Sequence, residues 1–325
     1  MGGHTPGGVH ADAGTGGNLT PDPRVAALEA RVQAEIVRRA YARGDLSYKL
    51  DETQRLIRQK RESAWAPKAA AAGPRTAMER VAAADVPISY FELCARGNGK
   101  TFELLVLELE TALRVKDARV LHAAPLRDDA EKIARDLMEL FILGDCPREM
   151  KPEWHAGEGE YRFPTTGAVL RFRGTNNDSV ERLRGFGYHL VVLDECGSMD
   201  QLAYVFGIVK PLAERMGGKL VLATTPPKLA DHESKGIFED HVKRGSAVTF
   251  TLLDNPRKTW EQKAAILLNE GEAPEDVPHI LDGRMLPRRT TTLREYFCQW
   301  VTDSEMALVP EFTAERERQI VVSWA

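Results

Sequence analysis

One short stretch constrains the fold more than any other: Ala95-Arg96-Gly97-Asn98-Gly99-Lys100-Thr101. Before it lies an apolar run, residues 88–94, that reads as a strand; after it, an apolar run over residues 100–115 reads as a long helix. A glycine turn between strand and helix opens a βαβ unit, which commits the chain to a sheet with helices packed on it. The same turn has a chemistry. Glycines let successive backbone N–H groups curl round an anion, and the helix N-terminus adds positive potential. A lysine there reaches terminal phosphates, and a threonine offers its hydroxyl to Mg²⁺. Lys100 and Thr101 hold those two positions.

The motif is a P-loop with one departure. The general pattern GxxxxGK[ST] asks for glycine where this chain has Cys94, and Arg96 adds a basic residue inside the turn. Read merely as a turn and a helix start, the segment would need no phosphate, but its place at a strand-to-helix junction is the one a P-loop requires. The alternation continues downstream. Strands are expected at residues 118–124, 188–193, 219–224 and 247–253, and helices at 126–141 and 201–215. The first of those helices takes its apolar face from Leu126, Ala130, Ile133, Leu137 and Leu140. Residues 161–163 and 168–172 flank Thr165-Thr166-Gly167 and suggest a β-hairpin inserted between main strands. The whole implies an α/β fold with a mostly parallel sheet covered on both faces.

A second chemical signal is Val191-Val192-Leu193-Asp194-Glu195, an apolar strand ending in two acids where open α/β sheets bind their ligands. Asp194 would hold Mg²⁺ and Glu195 would polarise an attacking water. A solvated strand end is the plain reading of this pair taken alone. Thr224 and Thr225 end another strand, where they could sense a terminal phosphate or simply begin a loop. Arg184, in Glu181-Arg182-Leu183-Arg184-Gly185, could act on a phosphate held by a neighbouring subunit, or pair with Glu181 on the surface. Two basic groups, Arg55, Arg58, Lys60 and Arg61, then Arg284, Arg288, Arg289 and Arg294, are candidates for nucleic-acid phosphates or for solvated faces. His122, His155 and His189 show no partner spacing and read as structural or surface residues.

Composition excludes several alternatives. With 44 Lys+Arg against 48 Asp+Glu, the chain is not a polycation, so any contact with DNA has to come from a local patch. No apolar run approaches the roughly 20 residues of a bilayer crossing, so no membrane partner is expected. Cys94, Cys146, Cys196 and Cys298 are far apart and form no metal-ligand or disulfide pattern, which suits a reducing cytoplasm.

The interval from Lys100 to Asp194 is too long for one crossover and accommodates an extra strand, so the arrangement resembles the P-loop NTPases of the additional-strand catalytic-glutamate type. In order, residues 94–101, Arg173-Gly174-Thr175-Asn176-Asn177, Leu183-Arg184-Gly185, residues 191–195 and residues 223–226 resemble the ATPase domain of a tailed-phage large terminase subunit, over roughly residues 90–301. In that family the P-loop commonly begins with a basic residue and lacks the first glycine, as Cys94 and Arg96 do here. The resemblance implies that Ala95, Arg96, Gly97, Asn98, Gly99, Lys100 and Thr101 bind ATP, and that Thr101 and Asp194 bind Mg²⁺. It makes Glu195 the catalytic base, Thr224 and Thr225 a coupling motif, and Arg184, or else Arg182, a trans-acting arginine finger. It implies double-stranded DNA, a portal protein, a small terminase subunit and a homo-oligomeric ring as partners, in the host cytoplasm.

The expected organisation is a tail at 1–23, an N-terminal helical region and connector at 24–84, an ATPase core at 85–255, a small helical subdomain at 256–292 and a linker at 293–325. Val25, Leu28, Val32 and Ile36 mark the apolar face of the first helix. The family's nuclease domain is not expected in this chain, since the late acids Asp303, Glu305, Glu311, Glu315 and Glu317 occupy too short a stretch. Two rivals stay open: half of a helicase-like DNA translocase, and a non-catalytic nucleotide-gated assembly module.

Overall fold

The computed structural model describes residues 23–66, 87–176, 178–181, 183–184 and 186–301. The expectations for the tail, the connector beyond residue 66, the late acids, Asn177, Arg182 and Gly185 lie outside them. Helices α1 (Pro23–Arg43) and α2 (Glu52–Trp65) come first. Strand β1 (Ser89–Cys94) then runs through the glycine turn into α3 (Lys100–Arg114). After β2 (Arg119–Ala124) come two short strands, β3 (Glu153–His155) and β4 (Glu160–Arg162), and then β5 (Val169–Gly174). The core closes with β6 (Leu190–Asp194), α4 (Leu202–Arg215), β7 (Lys219–Thr224), α5 (Glu233–Lys243) and β8 (Ala247–Phe250). Helices α6 (Trp260–Asn269), α7 (Val277–Leu281) and α8 (Thr290–Phe297) follow.

All eight strands form one sheet in the order β3-β4-β5-β2-β6-β7-β1-β8. Every pairing from β5 to β8 is parallel, while β3, β4 and β5 pair antiparallel. The expected hairpin is present as the antiparallel pair β4–β5, and it is part of the main sheet: β5 pairs with β4 on one side and β2 on the other, while β3 forms the edge. Parallel strands buried on both faces need apolar residues in both directions. In β6, Leu190 and Val192 join the cluster under α3 with Leu104 and Leu109, whereas Val191 and Leu193 join the cluster under α4 with Val205 and Val209. Register then sets the site: Asp194 lies level with Ala223, and Ala223 with Glu92, so β6, β7 and β1 end together.

Two expected faces are corrected. Between residues 129 and 142 the chain forms π-helical turns, Asp129–Ile133 and Met138–Ile142, on either side of an α-helical turn, Ala134–Leu137. Leu126, Ile133 and Leu140 are exposed, Leu140 by 71%, and the buried residues are Ala130, Ala134, Met138 and Ile142. Four-residue steps drift about 40° round an ordinary α-helix, so that spacing stays on one face only where the turn widens to i→i+5 bonding. In α1, Val25, Leu28, Val32 and Ile36 are likewise exposed. The helix docks through Val37 and Tyr41 instead, and the Tyr41 hydroxyl donates to the Ile142 carbonyl at 2.5 Å.

Helices α6 to α8 have a small core of their own, built from Leu252, Leu267, Val277, Ile280 and Phe297. The expected boundary after residue 292 falls inside α8. Arg96 N–H donates to the Glu295 carbonyl at 2.8 Å, which ties α8 to the glycine turn. Among the described residues, no helix is long and apolar enough to cross a membrane.

Candidate functional site

The turn keeps the shape its glycines allow. Gly97 at φ 79° and Gly99 at φ 72° are both left-handed, a region that side chains with a Cβ rarely enter. The missing first glycine is explained by position: Cys94 still belongs to β1, is fully buried, and its burial pushes the thiol well above the ordinary range. Left-handed backbone is needed only from Gly97 onward. Helix α3 begins at Lys100, so its first turn aims N–H groups that have no intrahelical acceptor at the mouth of the loop.

The two sequence signals meet here. Lys100 Nζ lies 2.7 Å from Glu195 Oε1, and the Thr101 hydroxyl donates to Asp194 Oδ2 at 2.7 Å. Burial works against the charge on Lys100, but Glu195 and Asp194 outweigh it and hold the ammonium above the usual lysine range. Glu195 sits at φ 50°, ψ 39°, a strained conformation for a residue with a side chain, and its own N–H donates to Asp194 Oδ1 at 3.0 Å. The sharp turn leaves Asp194 buried against Thr101 and lifts the Glu195 side chain, 42% exposed, toward Lys100. A cleft of about 610 Å³ opens beside them, bounded by Thr101, His122, Asp129, Thr175, Asp194 and Glu195.

The remaining expected residues divide. Thr224 is buried behind the acidic turn, where its hydroxyl accepts from Gly197 N–H at 3.1 Å and donates to the Thr225 carbonyl at 2.7 Å. Thr225 lines a neighbouring groove with Pro226 and Ser198. The Asn98 side chain turns inward to the Phe250 carbonyl at 3.1 Å. Arg184 is not brought to Lys100 and Glu195 as a partner; it is exposed, its Nε 2.5 Å from Glu181 Oε2 and a second nitrogen 3.3 Å from the Tyr204 hydroxyl.

Several basic residues are corrected. Arg58, Arg61 and Arg294 are buried and are not free for nucleic-acid phosphates. Arg61 pairs with Glu92 on β1 and with Glu103 on α3, and Arg58 pairs with Glu103 and Glu110. Two buried guanidiniums thus meet three buried carboxylates, the third of which, Glu110, also pairs with Arg114. Burial pushes Glu92 up to about 7 against the pull of Arg61, while Glu103, also opposed by burial, is held below the carboxylate range by Arg61 and Arg58. His122 does have a partner: its Nδ1 lies 2.8 Å from Glu108 Oε1 on α3, and although burial opposes it, Glu108 raises its pKa. That contact joins a strand to the helix before it, so no short spacing could have disclosed it.

A phosphate seated at the start of α3 would face Lys100 and the end of β6 at once, the arrangement that defines the P-loop ATPase fold. Sequence comparison narrows the class: the family described as "Terminase large subunit, T4likevirus-type, N-terminal" matches residues 93–305, and the chain belongs to it. No curated protein matches the sequence. Among solved structures, the large terminase of a thermophilic bacteriophage, in complex with ADP, shares the fold at TM-score 0.52 and 12% identity, over 78% of this chain and 54% of its own. The chain thus spans about half the length of that relative. Other similar structures are the large terminase ATPase domain of a Thermus phage, at TM-score 0.43, 15% identity, and 70% and 94% coverage, and the HK97 bacteriophage large terminase, at 0.45, 14%, and 77% and 55%.

Proposed function

We propose that this chain is the ATP-hydrolysing motor part of a phage large terminase, driving double-stranded DNA into a prohead as one subunit of a homo-oligomeric ring. The observation that carries the reading is the meeting of the two motifs, Lys100 on Glu195 and Thr101 on Asp194. A hydroxyl and a carboxylate oxygen side by side fit Mg²⁺, which takes one or two protein oxygens and completes its shell with phosphate and water. Thr101 and Asp194 would hold the ion, which supplies charge neutralisation on the phosphate oxygens.

ATP phosphates arriving at the loop take Lys100 away from Glu195, which leaves the carboxylate to orient a water and accept its proton as the water oxygen bonds to the γ-phosphorus. The bond to the β–γ bridging oxygen breaks and ADP leaves. Thr224, tied to Gly197 beside the acidic turn, would pass that change toward β7. Arg184 would serve a neighbouring subunit's phosphate, released from Glu181 on assembly. The portal, the small terminase subunit and the host cytoplasm complete the setting.

The test measures Mg²⁺-dependent ATP turnover and ADP binding across a wide protein concentration range. Glu195→Gln should lose about 10²- to 10⁴-fold in turnover, the span of a general base, while still binding ADP. A Glu195→Gln protein with wild-type turnover would remove Glu195 from this role.

A further inference from the structure

The two sides of the glycine turn are set differently. At Asn98 side chains tie it: Asn255 Nδ2 donates to Asn98 Oδ1 at 2.8 Å, and the Thr53 hydroxyl donates to Asn255 Oδ1 at 3.1 Å. At Thr101 the chain is already helix α3, and its place depends on how α3 lies on the sheet. Every residue of α3 from Glu103 to Glu110 is buried, where the helix touches β2, β5 and β6 on one side and α1 and α2 on others. A helix buried all round has no hydrophilic face to fix its rotation, and apolar side chains pack without direction. Direction comes instead from buried carboxylates. Glu103 and Glu110 turn to Arg61 and Arg58 of α2. Glu108 turns to the sheet, where its Oε1 lies 2.8 Å from His122 Nδ1, with Phe172 against the imidazole at 5.3 Å between ring centroids. His122 is level with Val192 of β6, two residues before Asp194, so strand alternation puts His122 and Asp194 on the same face of the sheet. Thr101 and Glu108 are about two turns apart on one side of α3. The contact of Thr101 with Asp194 at 2.7 Å and that of Glu108 with His122 are therefore two polar rungs between the same helix and the same sheet.

The lower rung is a poor device for stability alone. Both of its side chains are at most 1% exposed, and Glu108 Oε2 is buried without a hydrogen-bond partner among the described residues. A buried pair with a carboxylate oxygen unsatisfied gains little stability over apolar side chains of like volume. What it supplies is direction. From this geometry we infer that Glu108 and His122 are positioning residues that set the rotation of α3 on the sheet, so that Thr101 meets Asp194 at the floor of the cleft. His122 borders that cleft together with Thr101 and Asp194. A hydroxyl about 4 Å from the helix axis moves about 1.4 Å when the helix turns by about 20°, enough to open a hydrogen bond. The inference rests on the reading of Thr101 and Asp194 as the residues that would hold Mg²⁺.

A double substitution separates position from stability. Glu108→Met with His122→Leu fills the same space with apolar groups and leaves no charge stranded. Its unfolding midpoint is expected at or above that of the wild type. The Mg²⁺ concentration at half-maximal ADP binding should nevertheless rise about three- to tenfold, the scale of one lost hydrogen bond, and amide exchange over residues 100–104 should quicken without nucleotide. Glu108→Gln keeps an acceptor for His122 Nδ1–H and should retain the wild-type Mg²⁺ response. A double variant with wild-type Mg²⁺ response and exchange would overturn the inference. So would a midpoint that falls in step with the Mg²⁺ response, which is what a purely structural pair gives, or a Glu108→Gln protein that behaves as the double variant does. If the wild type binds no ADP, exchange decides alone: quickened in the double variant, the positioning stands and the nucleotide reading falls; unchanged, both fall.

Discussion

Two arginine-bearing parts of this molecule are held in opposite ways. Under the glycine loop, Arg58 and Arg61 are sealed among Glu92, Glu103 and Glu110. Ahead of the acidic strand, Arg184 is exposed and, among the described residues, leans on Glu181 and Tyr204, themselves at the surface. Buried guanidiniums with several carboxylates give rigidity, because removing one partner strands a charge without water; exposed pairs give little, because water and salt replace either partner readily. The contrast teaches where the chain concentrates its order: beneath the glycine loop proposed to take a nucleotide, and not at the arginine proposed to serve another subunit.

The sharpest way to break the comparison is Arg61→Met. With Glu92 and Glu103 left buried and short of a cation, the expected loss is about 3 to 5 kcal/mol of stability, read as a lower midpoint in chemical denaturation. A loss below about 1 kcal/mol would place the buried array on a par with a surface pair. Next in size is a pH effect. Glu92 is raised from the usual 4.5 to about 7 in the fold, so its contribution to stability is full below 4.5, falls as pH rises, and is lost above about 7. Glu92→Gln should remove that slope, so that the difference in unfolding free energy between variant and wild type changes between about pH 4.5 and 7 and is level beyond. The smallest stability effect belongs to Arg184→Ala, which should leave the unfolding midpoint where it was. Its ATP turnover should fall only at protein concentrations where subunits assemble; equal turnover there would end the proposed trans role.

What could be read from the sequence follows from how far apart the interacting residues lie. The loop and the end of β6 were legible because each is a contiguous motif whose spacing is set by one turn of backbone. The parallel strands were legible because burial on both faces forces unbroken apolar runs, as in residues 190–193. The segment from Asp129 to Ile142 misled because its apolar residues were counted on a 3.6-residue turn, while Ala130, Ala134, Met138 and Ile142 follow a wider one. The basic cluster in α2 read as a nucleic-acid contact or a solvated face because the acids that pair with Arg58 and Arg61 come from β1 and α3. Asp51 followed by Gln54 marks a helix start in sequence, but nothing local could say that the Gln54 amide also reaches Gly99.

The hydrogen bond between Thr53 and Asn255 joins residues 202 positions apart. A contact of that span cannot form early, since the chain closing so long a loop gains nothing until the sheet between its ends exists. During synthesis the loop at 95–101 emerges well before Asn255, so the contacts of Asn255 with Thr53 and Asn98 can form only after β8 has been made. A polypeptide interrupted before β8 would carry every residue from 95 to 101 without the side-chain contacts that Asn255 makes with Thr53 and Asn98.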